Sequence, residues 1–170
     1  PCAWSLLMLG WISAEEITFS IQGYTLFTTA YGRKVVRIPG GDPSNPLEYF
    51  LLENRKRISW DTGLPGEGLL IWHIDDSVGS IEKNDLQNTV THKRVDLEEA
   101  GQAHLDSPGG SKGDYTAFFS SGSADYFDSS STPSNLSYRG YAAPLSVFGV
   151  SAPGNTMTFN ITGGLYIKNA

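Results

Sequence analysis

Two short runs in this chain are apolar on both faces: Leu47 to Leu52, at the head of LEYFLLENRKRI, and Leu69 to Ile74, LLIWHI. A strand buried on both faces loses the alternation of a half-exposed one, so each run reads as a central strand. Leu64-Pro65-Gly66-Glu67-Gly68 turns the chain between them. A link that short suits antiparallel neighbours, so 47–58 is expected beside 69–74. The first strand starts apolar and finishes charged, as though it emerges into solvent.

Further strand signals flank this pair. Ile17, Phe19 and Ile21 alternate with Thr18 and Ser20, and Gly23 is expected to turn the chain into a second run, Tyr24 to Thr29. Lys34 to Ile38 is a third run, stopped by Pro39-Gly40-Gly41 and the turn-rich Asp42 to Pro46. Val90 to Glu99 mixes periods and leans to strand. Leu145 to Val150 and Thr156 to Ile161 close the chain. Residues 100–143 hold no sustained periodicity and read as a long Ser/Gly/Asp-rich loop, a length that usually marks function or metal.

One helix is expected, Pro1 to Ile12, with Trp4, Leu7, Met8 and Trp11 at helical spacing. Leu6 and Leu9 make its remaining surface apolar, and a helix that is apolar all round needs partners on every side. The fold class is therefore mainly β, an antiparallel sheet or β-sandwich with one short N-terminal helix.

Charge and cysteine usage narrow the function. With 12 Lys+Arg against 18 Asp+Glu the chain carries −6. Residues 1–60 sum to +1 and 61–170 to −7, with no basic stripe to meet phosphate, so no nucleic-acid partner is expected. No apolar run reaches the length of a membrane span. Cys2 is the single cysteine, which excludes a disulfide framework and any cysteine-based zinc site. The acidic, Ser/Gly/Asp-rich half suggests an extracellular surface. The chain opens on Pro1 with neither a start methionine nor a signal peptide, so it is expected to be a piece of a longer protein.

The residue types that carry chemistry are sparse. His73, His92 and His104 form no close pair and no H-E-x-x-H helix. His73 alternates with Leu69, Ile71 and Asp75, which suits a core histidine bonded to a carboxylate or carbonyl. Gly109-Gly110-Ser111-Lys112-Gly113 spells G-x-S-x-G but lacks the strand before it and the helix after it. Asn135-Leu136-Ser137 and Asn160-Ile161-Thr162 match the glycosylation sequon. Glu53 and Arg55 lie two apart on one strand face, as a structural ion pair would. Asp75, Asp76, Asn84 and Asp85 are candidate calcium ligands, within a wider supply of oxygens that includes Asp96, Glu98, Asp114 and Asp128. Trp60 looks exposed, and one aromatic makes no carbohydrate platform. Trp4, Trp11 and Trp72 fall in apolar runs that suit a core.

The order of these segments resembles the downstream half of secreted bacterial zinc metallopeptidases of the immune inhibitor A family. The resemblance rests on Cys2-Ala3-Trp4-Ser5 with Leu9-Gly10-Trp11-Ile12, then Glu48-Tyr49-Phe50-Leu51-Leu52-Glu53-Asn54-Arg55. It continues through Asp61, Leu64 to Asp75 (LPGEGLLIWHID), Val95 to Gly101 (VDLEEAG) and Met157 to Ile161 (MTFNI). The chain departs from the family at Ala100-Gly101, where an Asp between the two is lacking.

That resemblance implies a secreted zinc metalloendopeptidase as parent, with the zinc ligands and general-base Glu upstream of Pro1. Residues 1–14 would then trail an upstream catalytic domain, and 15–170 would form a β-rich C-terminal domain. No catalytic residue falls in this chain. Its partners would be the upstream catalytic domain and a protein or peptide substrate, with zinc in the parent and calcium as a further candidate. A stand-alone secreted calcium- or carbohydrate-binding β-sandwich is the competing reading.

Overall fold

The computed structural model describes residues 1–83, 91–101, 105 and 113–164. They form a sandwich of two sheets and two short helices. Helix α1 (Ala3–Met8) precedes β1 (Ser13–Glu16) and β2 (Phe19–Phe27). Then follow α2 (Thr29–Gly32), β3 (Lys34–Pro39), β4 (Glu48–Arg55), β5 (Gly68–Asp75) and β6 (Val95–Glu98). The chain closes with β7 (Tyr126–Phe127), β8 (Leu145–Phe148) and β9 (Thr156–Gly164). The first sheet has the order β1-β3-β4-β5-β6, with β1 parallel to β3 and the other pairs antiparallel. The second, wholly antiparallel, has the order β2-β9-β8-β7.

The core follows from the alternation. On β4 and β5 the inward positions bring Phe50, Leu52, Leu69 and Ile71 against Leu26, Phe127, Leu145, Val147, Met157, Phe159 and Ile161 of the second sheet. The outward positions Tyr49, Leu51 and Ile74 form a second cluster with Val35 and with Ala3 and Trp4 of α1. The first sheet is thus covered on both sides, which is why its two central strands read as continuous apolar runs.

The sheet-to-sheet connection uses one extended segment. Ile17 N–H still bonds Arg37 O of the first sheet at 2.9 Å, and two residues later the chain has entered the second. Gly23 does not turn the chain between two strands as its neighbours suggest. It adopts φ +64° inside β2, where the register with β9 slips between Ile21 and Tyr24. That is a β-bulge, and glycine is the residue that accepts it without strain.

Helix α1 stops at Met8, short of the expected Ile12. Gly10, at φ +68°, places Trp11 N–H on Leu6 O at 3.0 Å and its own N–H on Leu7 O at 2.9 Å. This is a Schellman stop, with glycine in the left-handed position just past the helix. Six residues cannot hold a helix alone, so burial of Ala3, Trp4 and Leu6 on the sheet holds it. The boundary drawn after residue 14 falls inside β1, which is hydrogen-bonded to β3. Helix and sheet therefore pack as one unit.

The charged end of β4 does not emerge into solvent. Glu53 is fully buried and Arg55 nearly so, because α1 and the Ser59–Asp61 turn lie across them. Asn54 is fully buried on the other face, where its Nδ2 donates to Leu26 O and Gly154 O.

Candidate functional site

Glu53 sits at the centre of a buried polar knot between the first sheet and α1. Its carboxylate lies 3.1 Å from Arg55 Nε and accepts from Trp72 Nε1 at 3.1 Å. The Ala3 N–H, at the first turn of α1, also donates to it, where a carboxylate complements the helix N-terminus. Burial pushes the Glu53 carboxyl above its ordinary range, against the pull of Arg55, Trp72, Thr29 and Ala3. Arg55 continues the knot outward, with Nη1 2.5 Å from Asp61 Oδ2 and Nη2 on the Pro1 carbonyl. The pair thus bolts α1 and the Ser59–Asp61 turn to the strand, and no oxygen of Glu53 faces a space where substrate could sit.

A second knot occupies the inward face at the opposite end of the sheet. His73, 3% exposed, holds Glu48 Oε1 at 2.8 Å on Nε2 and Glu98 Oε1 at 3.1 Å on Nδ1. Both glutamates are diagonal neighbours of His73, since Glu48 pairs with Asp75 and Glu98 with Ile71 across the ladder. Burial disfavours the charged imidazole, but the two carboxylates outweigh it and raise its pKa from 6.5 to about 9. Tyr138 stacks on the His73 ring at 4.3 Å and lies 4.0 Å from the His92 ring. Its N–H donates to Glu48 Oε1 at 2.7 Å. The knot fastens the loop around Tyr138 to the sheet.

The candidate calcium ligands are not brought to one point among the described residues. Asp75 accepts from Ser77 N–H and Oγ on one oxygen, and from His92 and Asn45 on the other. Asp76 accepts instead from Trp4 Nε1 at 3.1 Å, Tyr49 OH at 2.8 Å and Arg94 Nε at 3.2 Å. The two carboxylates share no donor. Asn84 and Asp85 lie outside the described residues, as do His104 and Gly109 to Lys112. Among the described residues no group of three His, Cys, Asp or Glu side chains is placed to hold a metal ion.

Four aspartates close turns. Asp42, Asp75, Asp114 and Asp128 each accept from both the N–H and the hydroxyl of a Ser or Thr two residues on. The Ser44 hydroxyl, the Thr116 hydroxyl and the Ser130 N–H, respectively, are the main reason that Asp42, Asp114 and Asp128 are held below the usual carboxylate range. The D-x-[ST] spacing carries the signal for this role, since such turns form locally. The sequons are structural too. Asn135 is 1% exposed with Nδ2 on Leu145 O at 2.8 Å, and Asn160 Oδ1 accepts from the Gly23 N–H at 2.9 Å.

An open groove lies beside the Glu53 knot. It has a volume of about 730 Å³ and is lined by Leu6, Gly10, Trp11, Ile12, Ala30 and Trp60 together with Arg33, Arg55 and Asp61. Trp60 is 98% exposed and Trp11 62%, and Met8 and Leu9, just before Gly10 and Trp11, are exposed as well. Trp11 is therefore a surface residue, while Trp4 is buried at 8% exposure. The early helix stop at Gly10 turns Trp11 away from the sheet that covers Trp4. No protein-family model, curated protein or solved structure matches the chain.

Proposed function

We propose that residues 1–170 are the β-rich C-terminal portion of a secreted zinc metalloendopeptidase. In this reading they wall one side of the substrate cleft and support the catalytic domain. The observation that carries it is the groove of Trp11, Trp60, Leu6 and Ile12, with Met8 and Leu9 exposed nearby. Clustered exposed apolar side chains of this size mark an interaction surface. The Glu53–Arg55–Asp61 knot lies directly behind it, so the groove has a rigid back. The order of motifs from Cys2-Ala3-Trp4-Ser5 to Met157-Thr158-Phe159-Asn160-Ile161 supplies the family.

Zinc, when bound to such a parent, activates water for attack on a peptide carbonyl. The described histidines do not fit that role. Both nitrogens of His73 are occupied by carboxylates, and His92 Nε2 is held by Asp75 at 2.8 Å. The chain's own residues position and support, and the metal ligands belong to the upstream domain.

The test compares the complete gene product with residues 1–170 alone, assayed on casein with and without a zinc chelator. The expected result is chelator-sensitive proteolysis by the complete product and none by the isolated chain, even with added zinc. Chelator-sensitive proteolysis by a clean preparation of residues 1–170 would overturn the reading. So would a complete product that carries no H-E-x-x-H helix upstream.

A further inference from the structure

The outward face of the second sheet has a chemistry of its own. Three of its four strands, β2, β8 and β9, come from two segments without Asp, Glu, Lys or Arg, residues 17–32 and 140–164, in a chain that carries −6 overall; the edge strand β7 lies between Asp125 and Asp128. Alternation against the buried Leu26, Val147, Met157, Phe159 and Ile161 turns Thr25, Ser146, Thr158 and Thr162 outward. Thr25 stands opposite Thr158, and Ser146 opposite Thr162, so the hydroxyls form cross-strand pairs over the middle of the face. At one edge Tyr126, 51% exposed, stands opposite Phe148. The face spans roughly 14 Å across its four strands at the usual spacing.

We propose that this face binds a neutral, extended polysaccharide. Its charge is the argument. An anionic glycan or a charged protein surface would shed its counter-ions here and find no partner, and desolvating an unpaired charge is expensive. A neutral glycan loses nothing of that kind. Its ring C–H faces stack on flat aromatic side chains such as Tyr126 and Phe148, and its hydroxyls exchange hydrogen bonds with those of threonine and serine, which both donate and accept. The two hydroxyl pairs lie four residues apart along β9, a line that suits an extended chain better than a coiled one. The inference stands apart from the peptidase reading, since the groove of Trp11 and Trp60 lies on the other sheet.

Affinity electrophoresis of the folded chain in gels containing soluble β-glucan, xylan or glucomannan tests it, with polygalacturonate as the anionic control. The expected result is retardation in at least one neutral gel and none in polygalacturonate. Tyr126→Ala and Phe148→Ala should each weaken retardation up to about tenfold, the scale of one lost aromatic contact. Thr158→Lys, at an exposed position, should abolish it while leaving the melting temperature unchanged. No retardation in any neutral gel would overturn the proposal, as would retardation that survives Thr158→Lys. Sedimentation gives the remaining arm. A dimer that Thr158→Lys disperses would assign the face to a second copy of the chain and overturn the proposal as well.

Discussion

Arg55→Met is expected to destabilise the fold by about 3–5 kcal/mol, a fall in melting temperature of roughly 6–20 °C. The substitution keeps most of the aliphatic volume and removes the cation 3.1 Å from a fully buried carboxylate. Glu53 must then either stay ionised without its partner or take up a proton, and burial already pushes it that way. Asp61 and the Pro1 carbonyl lose their donor at the same time. Glu53→Gln is milder, about 1–3 kcal/mol, because the amide keeps the Trp72 hydrogen bond and leaves a cation that still has Asp61. Chemical denaturation of the two variants checks the order. An Arg55→Met variant within 1 kcal/mol of wild type would contradict the account of this knot.

The second large effect is on pH dependence. The folded pKa of His73 lies at about 9, above the ordinary 6.5, so protonation stabilises the native state. The contribution is fully present below pH 6.5 and is lost as pH rises through 9. That gap corresponds to roughly 3 kcal/mol. Asp75 works in the opposite sense. Burial raises its pKa, but the hydrogen bonds from Ser77, His92 and Asn45 together lower it. Its contribution is present above its ordinary 3.8 and disappears as pH falls through the folded value. Stability should therefore be highest between about pH 4 and 6.5 and decline on the alkaline side.

Urea unfolding from pH 5 to 10 measures this. In His73→Gln the alkaline decline should vanish. An alkaline decline that is unchanged in His73→Gln would place its origin elsewhere.

The strands β4 and β5 of the first sheet were legible because burial on both faces leaves an unbroken apolar run, whereas the exposed edge strand β1 (Ser13–Glu16) has no such signal. The pairing of 47–58 with 69–74 followed from the short turn between them, and the observed ladder joins Asn54 to Leu69 across it. Two glycines misled for the same physical reason. A left-handed glycine serves a helix stop, a bulge and a turn alike, so Gly10 and Gly23 cannot be assigned without knowing what pairs with their neighbours. The charged end of β4 read as solvent-exposed because its cover, α1, arrives from 50 residues away in the chain.

The candidate site was legible only where its partners are local. Glu53 and Arg55 share a strand face, so their pairing follows from the period of two. The carboxylates around His73 come from β4 and β6, and finding them required the register of three strands. The oxygen-rich loops looked like ligand supply because the D-x-[ST] turn and a calcium loop draw on the same residue types. Trp11 and Trp60 come together only after the helix has stopped and the Ser59–Asp61 turn has formed.

In the proposed reading the Trp11–Trp60 groove packs against a catalytic domain of the same protein. Amide hydrogen exchange, compared peptide by peptide between the complete gene product and residues 1–170 alone, reports on that contact directly. The account predicts slower exchange over residues 6–12 and 58–61 in the complete product, with the strands of the second sheet unchanged. Equal exchange over 6–12 and 58–61 in the two samples would contradict it.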